Sequence, residues 1–148
     1  MQILENQCLY LSNLISYKAA VDYSNLQELI NHVYSNVCRL QADIKDNVIF
    51  TFNGNQKQLN TEILIPVDRN INECEHYSFK PVYKLNNAVV IRHEGNLSCI
   101  PETIVRLENY IIEKAYHKIT DPYCRVIRNS SDNDAIVDIY IGLDSNIL

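Results

Sequence analysis

The chain has 148 residues, with 13 Lys and Arg against 18 Asp and Glu, a formal charge of −5. Phosphate polyanions are bound largely by releasing their counterions to cationic side chains, so this surplus of acid argues against direct nucleic-acid binding. Hydrophobic residues at 47% and charged residues at 21% are those of a folded globular chain, and the length supports one well-formed core.

The opening MQILENQCLYL carries Glu5 and no basic run ahead of an apolar one, so it does not read as a secretion signal. No stretch nears the roughly 18 apolar residues of a membrane span. The expectation is a cytoplasmic protein without membrane contact. Five cysteines, an odd and widely spaced set (Cys8, Cys38, Cys74, Cys99, Cys124), read as reduced side chains rather than a disulfide framework or a zinc ribbon. Cys74-Glu75-His76 offers too few donors for a metal site, and with three glycines in the chain a Gly-rich phosphate loop is excluded. No cofactor is expected.

In chain order, Leu9 to Ala20 reads as extended. Ser24-x-x-Gln27 has the capping-box form and opens a helix to about Ile44, with Leu26, Ile30, Val33 and Val37 as its apolar stripe. Val48 to Phe52 is a strand, Asn53-Gly54-Asn55 a turn, and Thr61 to Val67 a second strand. Residues 71–81 read as a linker. Ala88 to His93 is then a strand, Gly95-Asn96 a turn, and Ser98 the cap of a helix to about Ala115, with Pro101 in its first turn, where the missing N–H costs nothing. Tyr123 to Arg128 and Val137 to Leu143 are strands flanking the polar loop 129–134.

These elements repeat. TEILIPVDRN at Thr61 matches VDIYIGLDSN at Val137 at an offset of 76, and Asp46 to Phe50 faces Asp121 to Arg125 at 75. The helical stripe recurs as Ile100, Ile104, Leu107 and Ile111 at 74, and Ser12 to Ile15 matches Asn86 to Val89 at the same 74. Ordered blocks in register predict two copies of a strand-helix-strand-strand unit, about 8–70 and 82–146, within a single domain. An α+β fold follows: an antiparallel sheet, two helices on one face, and a concave open face.

RHEGNLSCIPETI from Arg92 resembles the turn and amphipathic helix of the GyrI-like, or bacterial effector-binding, domains. TEILIPV at Thr61 and VDIYI at Val137 resemble that family's closing strands. The resemblance implies a duplicated fold whose concave face holds a small-molecule ligand, lipophilic cations among them, as in multidrug-responsive regulators. Only about eight residues precede the first strand, so a free-standing ligand domain without a helix-turn-helix is expected.

Side chains alternate across a strand. Thr61, Ile63, Ile65 and Val67, with Val137, Ile139, Ile141 and Leu143, form the apolar set that belongs beneath the helices. The open face then receives Glu62, Leu64 and Pro66 from one half and Asp138, Tyr140 and Gly142 from the other, joined by Val48, Phe50, Tyr123 and Arg125. The candidate ligand residues are therefore Glu62, Asp138, Tyr140, Tyr123, Phe50, Leu64 and Arg125. A carboxylate among aromatic rings favours an organic cation, which restores a counter-charge and gains cation–π attraction of about 0.5–2 kcal/mol. Glu62 stands first, because its neighbours are apolar and the family motif matches there. Arg125 would cancel the preference if it paired with either acid. His93 reads as a hydrogen-bonded structural residue.

A second reading is a protein partner, the chain acting as inhibitor, adaptor or secretion-associated chaperone through an acidic, Tyr-rich surface. A third follows from the resemblance alone, since a branch of the family hydrolyses strained electrophilic small molecules with a pocket glutamate and aromatics. Alternation also places acids on a solvent face without any function.

Overall fold

The structure is a computed structural model that describes residues 2–21, 25–39, 44–54, 59–69, 77–129 and 134–144. Its elements are β1 (Ile3–Val21), α1 (Leu26–Arg39), β2 (Ile49–Gly54), β3 (Leu59–Pro66), β4 (Ser78–Gly95), a 3-10 turn (Leu97–Cys99), α2 (Ile100–Glu113), β5 (Tyr123–Asn129) and β6 (Ala135–Gly142). Antiparallel strand pairs with two helices make the expected α+β fold. Among the described residues no helix is long and apolar enough to cross a membrane.

The helices form where the 3.6-residue stripes run. Leu26, Ile30, Val33 and Val37 of α1 are at most 2% exposed, and Ile100, Ile104, Leu107 and Ile111 of α2 are all buried. Each such side chain contributes about 1.5–3 kcal/mol on burial. The caps differ from expectation. Ser24 and residues 40–43 lie outside the described residues, and Ile44 stands in an isolated bridge rather than in the helix expected to reach it. Asn96, not Ser98, is the cap before α2: its side chain accepts the Ser98 N–H at 2.8 Å and opens the 3-10 turn, so Pro101 falls at the start of the α-helix proper.

At its other end α2 closes in a Schellman motif. The Tyr116 N–H reaches the Ile111 carbonyl and the Ala115 N–H that of Ile112, both at 3.0 Å. This requires a left-handed residue, and the chain supplies Ala115 at φ +58° where glycine would be unstrained.

The chain divides into two compact units, Tyr10–Tyr83 and Met1–Leu9 with Lys84–Leu148. In the first, β3 pairs with β1 on one side and β2 on the other. In the second, β6 pairs with β4 and β5 in the same order. The register corresponds residue by residue: Lys18, Glu62 and Thr51 form one rung, and Arg92, Asp138 and Arg125 form its counterpart. Isolated bridges Ile44–Val67 and Lys118–Leu143 correspond in the same way, as do the hydrogen bonds from Val67 to Asn13 (2.8 Å) and from Leu143 to Asn87 (2.9 Å).

That correspondence corrects one alignment. Thr51 and Arg125 share a register position, so the offset is still 74 there rather than the expected 75. Both additional residues fall in the β5–β6 hairpin. A β-bulge between Val126 and Arg128 takes one, and the loop beyond it takes the other.

Both long strands exceed expectation at their starts. β1 begins at Ile3 rather than Leu9, and β4 at Ser78 rather than Ala88, so residues 78–81 of the expected linker are strand. Polar runs hid them: Glu5-Asn6-Gln7 in one, Pro81 and Asn86-Asn87 in the other.

Candidate functional site

In the unit containing α2, alternation along β4 and β6 separates two chemistries. Val89, Ile91, Val137, Ile139 and Ile141 are buried, and His93 on their face meets α2: its Nδ1 lies 2.7 Å from the Thr103 hydroxyl, while Nε2 donates to the Asn96 carbonyl at 2.8 Å. This is the structural histidine expected from the sequence. The opposite face carries Val90, Arg92 and Glu94 of β4, Asp138 and Tyr140 of β6, and Tyr123 and Arg125 of β5, in register.

A cavity of about 640 Å³ opens on that second face, lined by Val90, Arg92, Glu94, Asp138, Tyr140 and three residues from the start of the chain, Gln2, Leu4 and Gln7. Leu4 and Gln7 have opposite parity in β1 and would point to opposite faces of an ideal strand. Between them Asn6 takes a left-handed conformation, φ +57°, and both residues line the cavity.

Asp138 is held within the cavity by Arg92, whose Nε and Nη2 donate to the two carboxylate oxygens at 2.8 and 3.0 Å. This bidentate fork raises the Arg92 guanidinium above its ordinary pKa. The Asp138 side chain is 15% exposed and that of Arg92 53%, and the arginine has N–H donors beyond the two that Asp138 accepts. Glu94 is exposed and makes no hydrogen bond or ion pair among the described residues. The lining thus has one guanidinium, two carboxylates, two amides and a phenol against Leu4 and Val90.

Of the seven expected site residues, Asp138 and Tyr140 line this cavity. Tyr123 and Arg125 share their face by register but are not among its lining residues. Gly142, expected on the same open face, is buried where a Cβ would come within 2.9 Å of Leu85 and Thr120.

Glu62 belongs to the other unit. The face expected to be open there is closed: Leu64 is 1% exposed and Pro66 is buried, as are Ser16 and Ile49 beside Leu64 in register. Glu62 is not an open carboxylate either. It accepts the Ser16 hydroxyl and lies 2.9 Å from Lys80, which comes from the segment expected to be linker. Burial pushes its pKa up, but the Ser16 hydroxyl, Lys80 and Lys18 together hold it below the usual carboxylate value. Neither acid has Arg125 as its ion-pair partner among the described residues; Lys80 and Arg92 take that part.

Phe50 requires correction. It pairs in register with Ile63, not with Glu62, and is fully buried in the core, because the 75-residue alignment shifted β2 by one position and so exchanged its faces. Cys74-Glu75-His76 lies outside the described residues.

One cluster gave no signal in the sequence. Glu5 accepts hydrogen bonds from the Tyr110 hydroxyl and from that of Tyr116, the latter at 2.6 Å. These contacts hold the Glu5 carboxyl below its ordinary pKa and push Tyr110 up to about 12. Separations of 105 and 111 residues conceal it from any local motif.

No protein-family model and no curated protein sequence matches the chain. Solved structures do. The fold is similar to that of EcmrR in a cryo-EM complex with DNA (TM-score 0.82, 13% identity, 96% of this chain and 57% of that one). It is also similar to the EcmrR C-terminal domain (TM-score 0.71, 14% identity, 97% and 99% of the two chains) and to SAV2435 bound to tetraphenylphosphonium (TM-score 0.54, 10% identity, 97% and 93%). This chain spans little more than half the length of EcmrR in the first of these. At such identities the likeness is one of fold, and it agrees with the fold that the GyrI-like resemblance implies.

Proposed function

We propose that this chain is a small-molecule-binding domain of the GyrI-like, effector-binding class, built from two copies of one strand-helix-strand-strand unit, and that its ligand occupies the cavity over β4 and β6. The observation that carries the reading is a 640 Å³ cavity on the face opposite the one that meets α2, with polar groups from three strands converging on it. A neighbour of this fold, SAV2435, is described bound to tetraphenylphosphonium, which supports the class of function. Catalysis is not part of the proposal.

The test is a small-molecule library screened by thermal shift against the wild type and against Val90→Trp, which fills the cavity from its floor. Molecules that stabilise the wild type and fail with Val90→Trp support the reading. Equal stabilisation of both proteins, or none by any molecule, contradicts it.

A protein partner is the second reading, favoured by one feature: Val105 and Ile112, seven residues apart on the outer face of α2, are 54% and 73% exposed. A stoichiometric protein recovered with the chain, and lost with Val105→Asp, would favour that reading.

A further inference from the structure

The cavity's charges are arranged for more than a lipophilic cation. Among the described residues Tyr140 is its one aromatic ring, whereas Gln2, Gln7, Arg92, Glu94, Asp138 and the Tyr140 hydroxyl supply hydrogen-bonding groups. A greasy cation would meet little aromatic surface and would leave many of these groups desolvated without partners, which is unfavourable for each one left unpaired. Two opposite charges remain available. Glu94 has no ion-pair partner among the described residues. Arg92 spends two N–H groups on Asp138 and, more than half exposed, has others left to donate.

The backbone places these two side chains within reach of the two ends of one short zwitterion. Arg92 and Glu94 stand two residues apart on one face of β4, so their Cα atoms are about 7 Å apart. Two residues of extended peptide span about the same length. Leu4 and Val90 lie beside the charges, offering an apolar surface for an aliphatic side chain.

We infer that the cavity selects a hydrophilic zwitterion the size of a dipeptide, its ammonium on Glu94, its carboxylate on the remaining N–H groups of Arg92, and its side chain against Leu4 and Val90. The inference rests on the reading of this cavity as a ligand site and names the class of ligand. In this arrangement the Arg92–Asp138 pair determines specificity: Asp138 fixes the guanidinium in place, and Arg92 keeps a second carboxylate from attracting simple cations.

Calorimetric titration of the whole chain with glycyl-leucine, with N-acetyl-glycyl-leucine amide, and with tetraphenylphosphonium tests this, read beside backbone amide shifts. Glycyl-leucine should bind, shift Val90, Glu94 and Tyr140, and outcompete tetraphenylphosphonium by tenfold or more. The blocked amide, which lacks both charges, should not bind. Glu94→Gln and Arg92→Met should each weaken the dipeptide at least tenfold while their amide spectra remain those of the folded protein. Should tetraphenylphosphonium shift the cavity residues and the dipeptide not, the ligand class is wrong and the site stands. Dipeptide binding that is indifferent to both variants also overturns the inference. If none of the three probes shifts a cavity residue, the inference fails, and the library comparison with Val90→Trp then decides the site separately.

Discussion

Arg92 and Asp138 face each other across one rung of the β4–β6 ladder and close a two-pronged ion pair at 2.8 and 3.0 Å on the wall of the cavity. The corresponding rung of the other unit pairs Lys18 with Glu62, yet Glu62 takes its close ion pair from Lys80. Two acids at matching register positions are thus neutralised by different means, and only the Asp138 pair lines the cavity.

Arg92→Met should uncover Asp138 and leave two carboxylates in the cavity without a local cation. The expected outcome is a gain of about tenfold in affinity for tetraphenylphosphonium, measured by calorimetry. Because Arg92 is more than half exposed, the stability cost should stay within about 1 kcal/mol by denaturant titration.

Glu62→Gln should act on stability and leave ligand binding unchanged. The loss of charge-assisted hydrogen bonds to Ser16 and Lys80 is expected to cost about 1–3 kcal/mol in a urea titration. The sign of the pH dependence follows from the lowered pKa of Glu62. Its contribution is complete above the ordinary carboxylate value and disappears as the pH falls through the lowered one. The difference between wild type and Glu62→Gln should therefore shrink below about pH 4.

The cluster of Glu5 with Tyr110 and Tyr116 sets limits at both ends of the pH scale. Glu5, held low, contributes stability that is lost as acid protonates it. The tyrosines, pushed up, contribute stability that is complete below their ordinary value near 10 and lost as the pH rises through the raised one. Ultraviolet titration should find one phenol ionising at about 12 in the wild type, and Glu5→Gln should return it towards 10.

Ala115→Gly should stabilise the chain. A left-handed alanine at φ +58° closes the Schellman motif of α2, and glycine adopts that conformation without a Cβ penalty. The expected gain is about 1 kcal/mol, or roughly 3 °C in Tm for a chain of this size.

Much of the fold was legible because it rests on short-range periodicity. The stripes at Leu26 and Ile100 marked both helices, and strict alternation in TEILIPV and VDIYI assigned Ile63 and Ile139 to the core and Asp138 to the other face. The site was legible only in part. Asp138 and Tyr140 followed from alternation, but Glu94 carries no motif of its own, and the pairing of Arg92 with Asp138 depends on the β4–β6 register, which neither strand reveals alone. Gln2, Leu4 and Gln7 were out of reach, because a strand that starts Ile-Leu-Glu-Asn-Gln lacks the apolar–polar alternation that would reveal it. Phe50 failed for a related reason. A one-residue error in an offset is enough to exchange the two faces of a strand, and a bulge several residues away at Val126 was the feature that decided it.

A crystal structure of the chain grown with excess glycyl-leucine tests the ligand cavity most directly. The account predicts density for the dipeptide between Glu94 and Arg92, over Val90 and beside Tyr140, with the Arg92–Asp138 fork intact. A cavity left empty at saturating dipeptide, or a molecule bound instead beside Glu62 and Lys80, would contradict it.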